Sequence, residues 1–139
     1  MALTFSVAVR NARLEAVETV ISAGGVPTLA IWSGTPPANA DAADCGDGAK
    51  LVEIPMPANW AEDAAAGSKA ILAAGWDAAD ADVAGTATHF RIYENGGACR
   101  AQGTVGLPES GVDLILSNTN IAVDQPVDIT TFTLTQAGA

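Results

Sequence analysis

The chain reads as a mainly β protein, a jelly-roll-like or other antiparallel β-sandwich with one N-terminal amphipathic helix. Three observations predict that class. Beyond Gly25 the apolar pattern recurs every second residue, in short runs separated by Gly, Pro, Asn and Asp clusters. The stretch from Thr88 to Gly103 joins two such runs through Asn95-Gly96, a pair that tolerates the positive φ angles of a tight hairpin turn. Aromatic residues make up 5% of a chain that is 49% hydrophobic, so the core is expected to be thin and built from small or β-branched side chains. At 139 residues the whole chain, 1–139, is expected to form one domain.

The elements follow in order. Residues 6–23 read as a helix because Arg10, Leu14, Val17 and Ile21 recur at helical spacing and Gly24-Gly25 stops the pattern. Its far face is expected to carry Arg13, Glu15 and Glu18, and the helix either covers one end of the sandwich or lies on a partner. Strands are then expected at 28–32, 50–56, 69–73, 85–93, 98–105, 112–117 and 127–135, with an eighth at 3–5 or 119–123. The longest connection, 33–48, starts at Thr35-Pro36-Pro37 and carries Asp41, Asp44 and Asp47; connections of that length tend to be functional or mobile. A second irregular stretch, 57–67, holds Trp60.

The Asn95-Gly96 turn implies a register. With those two residues as a type I′ loop, Ile92 faces Cys99, Phe90 faces Ala101 and Thr88 faces Gly103 on a core face. The other face then carries His89, Arg91 and Tyr93 opposite Gln102, Arg100 and Ala98, and meets water or a partner. Arg91 against Arg100 is a like-charge pair, destabilising by a fraction of a kcal/mol. It calls for a carboxylate from a neighbouring strand, from Glu94 or from an acidic partner surface.

Sixteen acidic residues against six basic ones give a net charge of −10, which opposes binding to nucleic acid and to anionic membranes. No apolar run approaches the roughly 20 residues of a membrane span, and the N-terminus lacks the pattern of a secretory signal. Cys45 and Cys99 sit in unlike settings and are expected to stay reduced, Cys99 pointing inward. Asp41, Asp44 and Asp47, then Asp77, Asp80 and Asp82, lack the ligand alternation and closing Glu of a calcium-binding loop and read as solvated acidic segments; no metal or other cofactor is expected. The one histidine, His89, falls in mid-strand, where a satisfied surface or interface residue fits better than a catalytic base. No nucleophile elbow or phosphate loop occurs, and the chain is not expected to be an enzyme. Trp32 ends a strand and is expected in the core, whereas Trp60 and Trp76 lie beside irregular segments and suit either a core or an interface.

A resemblance adds to this reading. Val9-Arg10-Asn11-Ala12-Arg13-Leu14-Glu15-Ala16-Val17 is followed by Leu29-Ala30-Ile31-Trp32-Ser33-Gly34-Thr35-Pro36-Pro37-Ala38-Asn39-Ala40. Then come Ala87-Thr88-His89-Phe90-Arg91-Ile92-Tyr93, Asp113-Leu114-Ile115-Leu116-Ser117-Asn118-Thr119 and Val127-Asp128-Ile129-Thr130-Thr131-Phe132-Thr133-Leu134. In this order the segments resemble a family of small virion proteins of tailed bacteriophages and prophages, most like the jelly-roll cementing proteins of podovirus heads. The resemblance spans nearly the whole chain, and its motifs are structural. It implies a virion protein, made in the bacterial host cytoplasm, that binds the outer surface of an HK97-type capsid as a homodimer. Its partner would be the major capsid protein, whose neighbouring subunits it cements. A carbohydrate-binding adhesion module of a tail or fibre is the alternative. The candidate contacts with capsid or dimer partner are His89, Arg91, Arg100, Trp60 and Trp76.

Overall fold

A computed structural model describes residues 1–57, 59–70 and 79–135. The chain is mainly β with one N-terminal helix. Helix α1 (Val7–Ile21) starts where the Ser6 hydroxyl accepts a bond from the Val9 N–H, satisfying one of the free amides of the first turn. It stops at Ser22, and Gly25, at φ +123°, turns the chain in a conformation that side chains disfavour. The strands are β1 (Thr28–Trp32), β2 (Lys50–Pro55), β3 (Ser68–Ala70), β4 (Ala79–Asp80), β5 (Gly85–Thr86), β6 (His89–Tyr93), β7 (Cys99–Gly106), β8 (Leu114–Leu116), β9 (Asn120–Ile121), β10 (Pro126–Val127) and β11 (Ile129–Thr135).

Seven strands form one sheet in the order β2-β1-β6-β7-β8-β11-β3, and two small ladders pair β10 with β4 and β5 with β9. The large sheet is mixed, a departure from the antiparallel expectation: β7 and β8 run parallel, pairing Val105 with Leu114 and Gly106 with Ile115. Seven residues, 107–113, make that connection, and positive φ at Glu109 (+67°) and Gly111 (+72°) gives the tight double reversal it needs. Asp113 anchors the return by accepting from the Thr104 N–H and hydroxyl.

Two expected strands each divide in two because the chain changes partner midway. Residues 85–93 form β5, which pairs with β9, and β6, which pairs with β1. Between them Ala87 donates to Thr119 and Thr88 to Trp32. Residues 127–135 divide likewise at Asp128, the segment before it pairing with β4 and the one after with β8 and β3. The eighth strand is the one at 120–121, and residues 3–5 are not a strand. Residues 71–73 of the third expected strand lie outside the described residues.

The inner face of the sheet carries Leu29 and Ile31 from β1, Val52 and Ile54 from β2, Phe90 and Ile92 from β6 and Phe132 from β11, all buried. Phe90 and Phe132 meet edge to face at 5.2 Å. Ile21 and Trp60 join the same core, and the Trp60 indole donates to Ser22 Oγ at the end of α1. A second link holds α1 from its middle. The Lys69 ammonium, 1% exposed, reaches Glu15 (2.8 Å), Glu18 (2.7 Å) and the Glu62 carbonyl (2.8 Å). Glu15 and Glu18 therefore do not lie on the far face of the helix as expected, since the buried cation on β3 draws both inward.

Candidate functional site

The polar face of β1, β6 and β7 is the best-organised polar region, and it is covered. Loop 33–48 folds back over it, so His89 and Arg91 are each 1% exposed. The expectation that this face lies open to water or a partner is corrected by that cover. The guanidinium of Arg91 makes four bonds, three to the loop and one to β7. Nη1 donates to Asp44 Oδ1 (2.8 Å), Nη2 to the carbonyls of Ala40 and Ala42 (2.8 Å each), and Nε to Cys99 Sγ (3.1 Å). Tyr93 also donates to Asp44 Oδ1, at 2.6 Å, and Gln102 Nε2 donates to the Pro37 carbonyl. At the ends of the loop, Thr35 donates its N–H and hydroxyl to Asp47, while Gly34 and Gly48 meet closely enough that a Cβ on Gly48 would lie 2.0 Å from the Ser33 oxygen.

The hairpin turn differs from the type I′ expectation. Neither Asn95 nor Gly96 has positive φ; Gly97 does, at +88°. Gly97 donates back to the Glu94 carbonyl, and Glu94 donates to Ala98. This is the longer hairpin loop that ends on a glycine bulge, and it shifts the register by two. Ile92 faces Ala101, Phe90 faces Gly103 and Arg91 faces Gln102, with a bulge that sets Tyr93 against Cys99. An even shift keeps Phe90, Ile92 and Ala101 on the core side. Cys99, beyond the bulge, moves to the Arg91 side, where its thiol donates to the Ala101 carbonyl. Both cysteines are free.

The same shift separates Arg91 from Arg100, and each has its own carboxylate. Arg91 takes Asp44; Arg100, exposed, takes Glu94 at 2.8 Å. Asn95 is used elsewhere, donating to the Gly24 carbonyl and so tying the hairpin tip to the segment after α1.

His89 lies against Trp32 with ring centroids 6.4 Å apart and planes 15° from parallel. Trp32 is thus on the outer side of the sheet, half-buried under the loop, and not in the core as expected. The Thr88 hydroxyl lies 2.7 Å from the Gly34 carbonyl and 2.9 Å from His89 Nδ1. Its one hydrogen goes to the carbonyl, which can only accept, so His89 Nδ1 carries the proton and Nε2 keeps a lone pair. Nε2 is buried with no partner among the described residues. Burial and then the Arg91 charge hold the imidazole pKa below the ordinary histidine range, only partly offset by Asp44 and Asp47. Burial and the bond to Asp44 push the Tyr93 phenol upward.

Two shallow depressions flank the Asp44–Tyr93 contact. One, of about 370 Å³, is lined by Trp32, Tyr93, Asp44, Lys50 and Glu53 among others; the other, of about 290 Å³, lies between 40–44 and 97–100. Of the five residues singled out from the sequence, His89 and Arg91 share the covered face and Arg100 lies exposed beside it. Trp60 is 0% exposed in the core, away from any surface, and Trp76 lies outside the described residues. Asp44, Tyr93 and Gln102 complete the clasp. The sequence signal that points to Asp44 is the scarcity of cations, because in so acidic a chain a mid-strand arginine is readily matched by an acid from the longest loop. No family model, curated protein or solved structure matches this chain.

Proposed function

We propose that this chain is a non-catalytic structural virion protein that binds the outside of an HK97-type phage capsid and cements neighbouring capsid subunits, stabilising the DNA-filled head. In this reading the large sheet and its two small ladders close as a jelly-roll-like sandwich, and the partner is the major capsid protein. One observation carries the proposal. Among the described residues, seven of the ten exposed large apolar side chains (Met1, Leu3, Phe5, Val7, Val9, Val20 and Val26) lie within the first 26 residues, on and around a helix whose other side is anchored to the sheet. Concentrated apolar exposure marks a docking surface. The order of segments that resembles phage cementing proteins supports a shell as the partner. A cement needs a stiff body and a modest contact repeated by symmetry; the Arg91 and Lys69 clusters, which spend buried charges on holding a loop and a helix, suit that demand.

Adding the purified protein to expanded shells stripped of it tests the proposal. Saturable binding with a gain in heat or osmotic resistance is expected, and no binding with no gain overturns it. The competing reading, a carbohydrate-binding module of a tail or fibre, is favoured by the depression that Trp32 and Tyr93 line, since aromatic faces stack on sugars. Stoichiometry on purified particles separates the two: a cement is present in hundreds of copies, a tail component in a few to a few dozen.

A further inference from the structure

We propose that the outward face of α1, together with the groove beside it, docks an apolar segment of the shell protein that carries carboxylates; this deepens the reading above and rests on it. Ala8, Val9, Ala12, Arg13, Ala16, Thr19 and Val20 are all exposed and recur at the spacing of one helix face. The opposite side is spent internally, with Leu14 and Ile21 buried and Glu15 and Glu18 on Lys69. A helix face left in water is ordinarily polar. This one carries a single charge, Arg13, and no acid, in a chain with sixteen acidic residues.

The face continues into a groove of about 300 Å³ formed by Ala16, Val17, Val20 and Ile21 with Arg13 and Arg100. Apolar side chains fill its length, and two of the chain's six basic residues stand in it. Elsewhere Lys69 and Arg91 are buried in ion pairs and Lys50 is held by Glu53 at 3.0 Å, while Arg10 is half-buried beside Gly67, its Nε buried without a partner among the described residues. The Arg13 guanidinium lies over the Phe5 ring at 5.1 Å and has no carboxylate partner among the described residues. Arg100 binds Glu94 through Nε alone, and its two terminal nitrogens have no partner there.

Charge selects the occupant. A second copy would bring another body of net charge −10, and a two-fold contact through this face would set Arg13 and Arg100 near their own counterparts. An apolar segment with carboxylates matches both the groove and its arginines. The alanines at 8, 12 and 16 leave room for a backbone to approach.

The test uses shells stripped of the protein and measures bound fraction by co-sedimentation. Ala16→Glu and the pair Arg13→Glu with Arg100→Glu alter the proposed face at exposed positions; Lys50→Glu is a charge control elsewhere. Circular dichroism and thermal melting establish that each variant is folded. Shell affinity is expected to fall about tenfold or more for the face variants, to stay at the wild-type level for Lys50→Glu, and to weaken with added salt for the wild type. Wild-type binding that all variants share overturns the α1 site and leaves the capsid reading standing. Failure of the wild type to bind removes both. A wild-type dimer in sedimentation equilibrium that Ala16→Glu dissociates puts a second copy on the face and also overturns the proposal.

Discussion

Replacing Asp44 with alanine would leave the Arg91 guanidinium charged, 1% exposed and short of its carboxylate. Replacing Arg91 with methionine leaves a different remainder, an Asp44 side chain that is 47% exposed and recovers water when its partner goes. The two ends of one ion pair are therefore expected to cost unequal amounts. Stranding a buried charge by deleting its partner costs about 3–5 kcal/mol; the Ala40 and Ala42 carbonyls still hold Arg91 Nη2, which places Asp44→Ala near the lower end, about 3 kcal/mol. Arg91→Met keeps most of the buried stem and forfeits hydrogen bonds from a charged donor, for which a loss of about 1.5–3 kcal/mol is typical. The three oxygen acceptors lie on a half-exposed loop and rehydrate, so about 2 kcal/mol is expected. In the double variant no stranded charge remains, and its cost should approach that of Arg91→Met plus the lost Tyr93 bond. Urea unfolding with the slope checked against wild type measures all three. Equal costs, or a larger cost for Arg91→Met, would refute the claim that burial of the guanidinium makes the pair asymmetric. A double-mutant coupling near zero would refute the pair itself.

Two further outcomes are expected. His89, the chain's one histidine, should titrate by NMR with a midpoint below the ordinary value of about 6.5 and show the Nδ1–H tautomer at neutral pH. Because its folded pKa is lowered, first by burial and then by Arg91, its contribution to stability is fully present above the unfolded pKa and is lost as pH falls toward and through the folded one. His89→Phe should flatten that part of the acid limb, and a midpoint at or above the ordinary value contradicts the argument. Gly48→Ala should loosen loop 33–48, since the added carbon would lie 2.0 Å from the Ser33 carbonyl oxygen; faster proteolysis within the loop and a stability loss of about 1–3 kcal/mol are expected, and wild-type behaviour in both assays rules the close approach out.

The sequence was most legible where a signal is local. Helical spacing and a glycine stop located α1 to within two residues at each end, and short β-patterned runs bounded by turn residues located β1, β2, β6 and β7, because such patterns are written in the residues themselves. The turn at 94–97 was legible as a turn but not as a type. Asn95-Gly96 favours type I′ only where no other glycine competes, and Gly97 supplied the left-handed residue for a longer loop. That single choice moved the register by two, parted Arg91 from Arg100 and turned Cys99 to the polar side. The candidate contacts fared according to burial. His89 and Arg91 lie on the predicted face but under loop 33–48, and Trp60 lies in the core.

What the sequence by itself determined is the β class, the helix, the hairpin and the side of β6 that meets the core, all consequences of patterns that repeat within a few residues. Tertiary structure alone decided the parallel β7–β8 pair, the partner changes after Thr86 and Val127, and the identity of the acids that meet Arg91 and Lys69. The physical reason is distance along the chain. Asp44 reaches Arg91 across 47 residues and Glu15 reaches Lys69 across 54, and a pairing across such separations is selected by which buried cation remains unmatched once the sheet has closed, which no local pattern records.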